Sequence, residues 1–159
     1  MHVKSRHHLR SDEIRALRET IAAQTGVDLD GETFEKVDLT ETRFDVVLVD
    51  GSPAVMYVDG DPYLTVTGAN AYEPTEHVVT VDAGAVSFVS GGADVMRPGI
   101  VDADADIDEG DHVAIAEETP GKVLAIGRAL GPGTEMLGDS GKVVESVHHV
   151  GDDLFELSI

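Results

Sequence analysis

Four aspartates spaced two residues apart have side chains that could ligate calcium. They are Asp102, Asp104, Asp106 and Asp108. Calcium loops that begin this way also require glycine at the sixth position, for the turn, and glutamate at the twelfth, for bidentate ligation. The chain has Ile107 and Val113 at those two positions. We therefore interpret the segment as a solvated loop that leads into a strand.

Two histidine pairs, His7-His8 and His148-His149, are the other candidates for metal ligation. Adjacent side chains on a strand point to opposite faces, so neither pair converges easily on one ion. The chain has no cysteine, which excludes disulfides, Cys-ligated zinc and thiol catalysis. The run Gly127–Gly133 lacks the lysine of a phosphate loop, and there is no nucleophile elbow. We expect no metal, no cofactor and no enzyme activity; the alternative is a small hydrolase that uses scattered Asp and His residues.

Residues 81–100, with the sequence VDAGAVSFVSGGADVMRPGI, carry the most informative pattern in the chain. Gly91-Gly92 can end a short helix and Pro98-Gly99 can form a turn, which explains each pair by itself. Together they predict a short helix that faces an extended segment, with glycine at the closest approach. Such a groove would let a phosphate backbone contact main-chain N–H groups with no Cβ in the way.

We expect this groove to bind RNA. Arg97 would pair with phosphate, the glycines would allow close backbone approach, and Met96 and Pro98 would form an apolar wall for a base. The candidate RNA-binding residues are Gly84, Ala85, Gly92, Ala93, Met96, Arg97, Pro98 and Gly99.

Positive charge is concentrated at the start of the chain. Residues 1–18 contain five of the 11 Lys and Arg residues but only two of the 31 Asp and Glu residues. Because nucleic acid is attracted to such a cluster, Lys4, Arg6 and Arg10 are the second candidate RNA contact.

The chain as a whole is strongly acidic, with a formal net charge of −20. Acidic residues occur in every segment and the apolar periodicity is kept, which argues against a disordered acidic tail. A cytoplasm of very high salt favours this pattern, because self-repulsion is screened there. An acidic face for a basic partner is the alternative, but it would concentrate its charge in a block. No apolar run approaches the roughly 18 residues of a membrane span, and the N-terminus lacks the apolar core of a signal peptide, so we expect a cytoplasmic protein.

The pattern of apolar residues and turn dipeptides predicts an α+β protein of two small domains, 1–77 and 78–159. In the first, Ser11 is expected to cap a helix over 11–24 that ends at Gly26. Strands are predicted at 34–37, 45–49, 55–58 and 63–66, and a linker at 68–76. In the second, a strand at 78–82 and a short helix after Gly84-Ala85 precede four strands at 112–116, 122–129, 143–150 and 154–157.

The second domain resembles the PUA domain, a small RNA-binding pseudo-barrel of pseudouridine synthases and archaeosine transglycosylases. The resemblance rests on Gly84-Ala85, Gly92-Ala93, residues 96–100 (MRPGI), residues 110–113 (GDHV), residues 124–127 (LAIG) and the ending at 147–155 (VHHVGDDLF). It covers about 80 residues in the right order and implies a mixed β pseudo-barrel with a short helix.

The first domain resembles the pre-PUA unit of small two-domain proteins related to malignant T-cell-amplified sequence protein and to the N-terminal part of ligatin. The matching residues are 49–51 (VDG), the turn at 60–63 (GDPY) and the basic start at 4–9 (KSRHHL), which is similar to archaeal members. The chain departs from that pattern at 65–68 (TVTG), where the eukaryotic relatives are more basic and Leu-rich, and at Phe155, where a Trp is usual.

The resemblance implies a protein of the translation apparatus that binds RNA, namely tRNA or rRNA, and engages the tRNA acceptor end or the small ribosomal subunit in initiation or recycling. No membrane and no DNA are expected as partners. The alternative is a detached PUA subunit that delivers RNA to a modification enzyme, such as a transglycosylase or a pseudouridine synthase.

Overall fold

Eleven β-strands and three α-helices form two units in the computed structural model, which describes residues 1–159. The first unit comprises Met1–Glu73 and Ser158–Ile159, and the second comprises Pro74–Leu157. The predicted α+β class is confirmed, with a small N-terminal domain followed by a mixed β domain with a short helix.

The first unit is a five-stranded antiparallel sheet with two helices. Its strands lie in the order β1-β2-β3-β4-β5, so that each strand pairs with its neighbours along the chain. Positive φ angles at Asp50-Gly51 and at Asp59-Gly60 form the two predicted hairpin turns. The elements are β1 (Val3–His8), α1 (Ser11–Thr25), β2 (Phe34–Leu39), β3 (Phe44–Val49), β4 (Ser52–Val58), β5 (Asp61–Leu64) and α2 (Val66–Tyr72).

Helix α1 forms where it is predicted, but its cap is one residue earlier. Arg10 is the N-cap residue, and its backbone N–H donates to the Glu13 carboxylate at 2.9 Å; Ser11 is already helical. Leu17 and Ile21, four residues apart, are buried on the inner face. The helix ends at Gly26, whose φ of 74° is left-handed as expected for a C-terminal glycine.

Helix α2 replaces the end of a predicted strand and most of the predicted linker at 68–76. Thr65 starts it, because its hydroxyl oxygen accepts the N–H of Gly68 at 2.9 Å and donates to the carbonyl of Pro53 at 2.7 Å. A Cβ on Gly68 would overlap the carbonyl oxygen of Ala54, so the close approach of α2 to β4 requires glycine. Val66, predicted as strand, is the first residue of the helix.

The second unit is a six-stranded mixed sheet in the order β7-β11-β10-β9-β6-β8. Its pairs are antiparallel except β6 with β9, which is parallel. Val81, Val113, Ile115 and Val144 belong to the apolar core inside it. The elements are β6 (Val78–Val81), α3 (Val86–Ser90), β7 (Val95–Met96), β8 (Ile100–Ala103), β9 (His112–Glu117), β10 (Val123–Ala129) and β11 (Lys142–His149).

The strand predicted at 154–157 is wrong, because the chain forms a helical turn there. The Asp152 carboxylate accepts the backbone N–H of Phe155 at 2.8 Å, and the Asp152 carbonyl accepts the N–H of Glu156 at 3.0 Å. The N–H of Leu157 bonds to the carbonyl of Leu154 at 3.2 Å. Because these backbone groups are bonded locally, they are not available to pair with a neighbouring strand.

Candidate nucleic-acid interface

A groove of about 310 Å³ lies between helix α3 and the segment that runs through β7 into the turn at 97–99. Five of the eight predicted groove residues line it, namely Gly84, Ala85, Met96, Pro98 and Gly99. The helix approaches the turn closely, since a Cβ on Gly99 would lie 3.0 Å from the Cβ of Ala85. The helix and the extended segment that the glycine spacing predicts therefore do face each other.

Two large apolar side chains of the groove are turned toward solvent. Phe88 is 68% exposed and Met96 is 49% exposed, although both belong to regular elements whose neighbours Val89 and Val95 are buried. Exposure of an aromatic ring to water is unfavourable. An exposed ring on a groove wall is therefore typical of a surface on which a ligand stacks. Phe88 is not among the residues predicted from the sequence. Its position was a usable signal, because Val86 and Val89, three residues apart, define the core face and leave Phe88 outside it.

Two carboxylates also line the groove, and neither was predicted. Asp82 accepts the backbone N–H of Ala85 through Oδ1 at 3.0 Å, which starts the turn before α3. Asp94 is bonded through both oxygens: Oδ1 accepts the N–H of Ser146 at 2.8 Å, and Oδ2 accepts from Lys142 Nζ at 3.3 Å. Asp94 thus ties the groove wall to β11.

Three of the main-chain N–H groups expected to meet phosphate already have partners inside the protein. Ala85 donates to Asp82, Gly92 to Val89 and Ala93 to Phe88, at distances between 3.0 and 3.1 Å. Gly92 and Ala93 do not line the groove. Gly92 is needed for another reason, because it has a φ of 94° and a Cβ there would lie 2.7 Å from Nε2 of His149. The groove is therefore an apolar slot with carboxylates at its edge.

The family model of the PUA domain matches residues 77–151. An uncharacterized protein of Methanocaldococcus jannaschii is 40% identical over 113 residues, which are 70% of this chain and 70% of that protein. The chain belongs to the family of PUA-domain proteins. The resemblance drawn from its glycine and proline motifs is thereby confirmed, and a PUA domain indicates RNA binding.

Two further proteins are similar to this chain, one of them over nearly its whole length. The solved structure of a conserved PUA domain protein from Thermoplasma acidophilum is 28% identical in sequence with a TM-score of 0.82, and the match covers 96% of this chain and 98% of that one. Translation machinery-associated protein 20 of Saccharomyces cerevisiae is 38% identical over 89 residues, which are 51% of this chain and 49% of that protein. The chain thus spans about half the length of the yeast relative.

Arg97 lies between the groove residues Met96 and Pro98 in the sequence, but its side chain points away from the groove. Nε donates to the carbonyl of Glu135 at 2.8 Å, and Nη1 donates to the carbonyl of Ser140 at 2.9 Å. Its backbone N–H bonds to the carbonyl of Gly141 at 2.9 Å. The guanidinium does not line the groove, and it has no carboxylate partner. Arg97 therefore braces the loop over 135–141 and keeps an uncompensated positive charge there.

The three cations predicted as a second contact belong to the first unit, and two of them are neutralised. Residues 3–8 form strand β1 at the edge of the sheet, where the Arg6 guanidinium pairs with Glu35 at 2.6 Å. Arg10 pairs with Asp12 at 3.2 Å and Glu13 at 3.7 Å. The hydrogen bond from Arg6 lowers the pKa of the Glu35 carboxyl. Only Lys4, at a bulge in the pairing with β2, has no carboxylate partner.

The C-terminal end of β11 contacts helix α3, which forms one wall of the groove. His148 is buried, and its Nδ1–H donates to the Asp152 carboxylate at 2.9 Å, while the His149 backbone N–H donates to the same group at 2.9 Å. Burial by itself would raise the pKa of Asp152, but the hydrogen bonds from His148, His149 and Phe155 outweigh it and hold that pKa below its ordinary value. His149 Nδ1–H in turn donates to the carbonyl of Ser90 at 3.0 Å, which fixes the end of α3.

The acidic loop and the histidine pairs do not converge on a common point. No group of three or more His, Asp and Glu side chains is placed to hold a metal ion. No helix combines the length and the apolar character needed to cross a membrane.

Proposed function

We propose that this PUA-domain protein belongs to the translation apparatus and binds the unpaired acceptor end of tRNA or an unpaired segment of small-subunit rRNA in its groove. In this proposal it acts in the cytoplasm, in the initiation or the recycling step of translation. The observation that carries the proposal is the pair of exposed side chains Phe88 and Met96 on the two walls of an apolar groove. The similarity to a translation machinery-associated protein of yeast supports the choice of process.

Stacking and shape, more than charge, drive binding in this proposal. Aromatic side chains stack on any base and contribute about 1–3 kcal/mol per base. The net charge of −20 would repel RNA in dilute buffer, whereas in a cytoplasm of very high salt that repulsion is screened and counterion release contributes little. We therefore expect deacylated tRNA to remain bound in molar KCl.

Arg97 lies outside the groove, and we expect its charge to attract RNA that extends beyond the groove, since no carboxylate neutralises it. Replacing Arg97 with alanine should weaken tRNA binding several-fold, through lost charge and through release of the 135–141 loop. The matched control is Lys122→Ala, which removes an exposed cation without a carboxylate partner from the β9–β10 turn of the same unit. Filter binding in molar KCl measures both. Equal affinity of the Arg97 variant and the wild type would remove Arg97 from the interface.

The cellular partner is tested by sedimentation of the tagged protein through a sucrose gradient in high salt. Co-sedimentation with small ribosomal subunits is expected. Association with a transglycosylase or a pseudouridine synthase, in place of ribosomal subunits, would overturn the translation role in favour of RNA delivery to a modification enzyme.

A further inference from the structure

We infer that the groove selects an unpaired base that carries an exocyclic amino group, through the free carboxylate oxygen of Asp82. This inference rests on the proposed function, because it names which part of an RNA the groove takes.

The chemistry of the groove disfavours phosphate. No Lys or Arg lines it, and two of its ten lining residues are aspartates. The N–H groups of Ala85, Gly92 and Ala93 are bonded within the protein, so they offer nothing to an anionic oxygen. A phosphate placed here would be repelled by the Asp82 carboxylate, with no Lys or Arg in the lining to compensate. A neutral base meets none of these costs and can place its flat face against Phe88.

The two carboxylates are not equivalent. Both oxygens of Asp94 have donors, one from Ser146 and one from Lys142, so this side chain has a structural role and its charge is offset. Asp82 uses only Oδ1, on the N–H of Ala85. Its Oδ2 has no donor within the protein. Asp82 is therefore the acceptor available to a ligand, in a slot whose other walls are apolar.

A carboxylate oxygen recognises bases by their donors. Adenine presents the N6 amino group and cytosine the N4 amino group, whereas uracil presents O4 as an acceptor at the equivalent place. The single N–H of uracil lies between two carbonyl oxygens, which the carboxylate would repel. The Watson–Crick edge is readable only in unpaired RNA, which agrees with a groove that takes a single strand.

The first test changes the RNA and leaves the protein intact. Short single-stranded oligonucleotides that differ at one position are titrated by fluorescence anisotropy in molar KCl. Replacing adenosine by purine riboside, which lacks only the amino group, should weaken binding about tenfold, as expected for a lost hydrogen bond to a charged group. Uridine at that position should weaken it at least as much.

The second test changes the protein. In the Asp82→Asn variant the amide oxygen can still accept the N–H of Ala85, but the amide NH₂ then faces the base. The preference should reverse, with uridine oligonucleotides bound more tightly than adenosine ones. Asp106→Asn is the control, because it removes the same charge from an exposed loop outside the groove and should leave the preference unchanged.

The outcomes separate this inference from the proposed function. Tight binding with equal affinity for adenosine, purine riboside and uridine would overturn the selection by Asp82 while leaving RNA binding in place. If no oligonucleotide binds the wild-type protein, the proposed function fails with it. If the Asp82 variant fails to fold, the comparison of adenosine with purine riboside on the wild-type protein still tests the selection for an amino group.

Discussion

Two regions of this protein have sequences typical of RNA contact, and the structure treats them differently. The basic start of the chain becomes the edge strand β1, where Arg6 is held by Glu35 across the sheet, and Arg10 is held by acidic residues of the first helical turn. No Lys or Arg lines the groove of the PUA domain, but Phe88 and Met96 are exposed there. In a chain with 31 acidic residues, six of the 11 Lys and Arg side chains form ion pairs with a carboxylate. We therefore base the proposed interface on exposed apolar groups and not on local charge.

The comparison also explains how so acidic a protein can bind RNA. The groove depends on packing between α3 and β11 and on aromatic exposure, both of which persist when salt screens charge. The ion pairs of the β1 edge are exposed and contribute little to stability at high salt. We therefore expect substitutions at the groove to have effects that persist in molar KCl. Substitutions of the β1 ion pairs should have effects only at low salt.

The largest effect on stability is expected from Gly92→Ala behind the groove. Alanine would be strained at a φ of 94°, and its Cβ would lie 2.7 Å from the His149 ring that fixes the end of α3. We expect a loss of about 3 kcal/mol, as the sum of left-handed strain and overpacking, measured by urea unfolding. The control is Gly110→Ala, with a φ of 90° but no atom within 4 Å of the added Cβ, which should cost about 1 kcal/mol. Equal costs would mean that the groove is not braced by this contact.

Asp152→Asn should have the next largest effect. Its carboxylate accepts from His148, His149 and Phe155, and its pKa is lowered in the folded protein. A lowered folded pKa stabilises the protein above the ordinary carboxyl pKa, and that contribution is lost as the pH falls through the folded value. The variant should be about 2 kcal/mol less stable at neutral pH, with a gap that closes below about pH 4.

Urea unfolding at several pH values measures this gap. The control is Asp153→Asn, an exposed neighbour for which no such gap is expected. A gap that stays constant from neutral pH down to the acid limit would contradict the assignment of the stabilising form to the ionised carboxylate.

The smallest effect is expected at the β1 edge. Arg6→Ala breaks the exposed pair with Glu35, and its effect on the urea midpoint should be detectable only at low ionic strength and absent in molar KCl. Glu35→Gln, which breaks the same pair from the other side, should behave in the same way. A shift that survives in molar KCl would show that the edge strand depends on more than this screened pair.

The sequence predicted the groove because glycine permits backbone conformations that other residues avoid and proline fixes φ, and both effects are local. Gly84, the Gly91-Gly92 pair and Pro98-Gly99 mark the ends of α3 and the turn at 97–99 without help from distant residues. The hairpins of the first unit were predictable for the same reason, from Asp-Gly dipeptides.

What the sequence did not predict depends on partners far along the chain. The direction of the Arg97 side chain is set by carbonyls of residues 135 and 140, and the neutralisation of Arg6 by a strand some thirty residues later. Helix α2 was missed because its glycine weakens the helical pattern, although that glycine is required by the carbonyl of Ala54. The turn after β11 is not predictable from the sequence pattern, because its hydrogen bonds to the Asp152 carboxylate carry no periodic signal.

The central claim is that the groove, and not the basic strand, is the RNA contact. It is tested most directly by the affinity for deacylated tRNA in molar KCl of two variants, Phe88→Ala and a triple alanine replacement of Lys4, Arg6 and Arg10. We predict that Phe88→Ala weakens binding about tenfold or more, because a stacking platform is lost, and that the triple variant changes it less than about twofold. The reverse ranking, with the triple variant impaired and Phe88→Ala unchanged, would contradict the account.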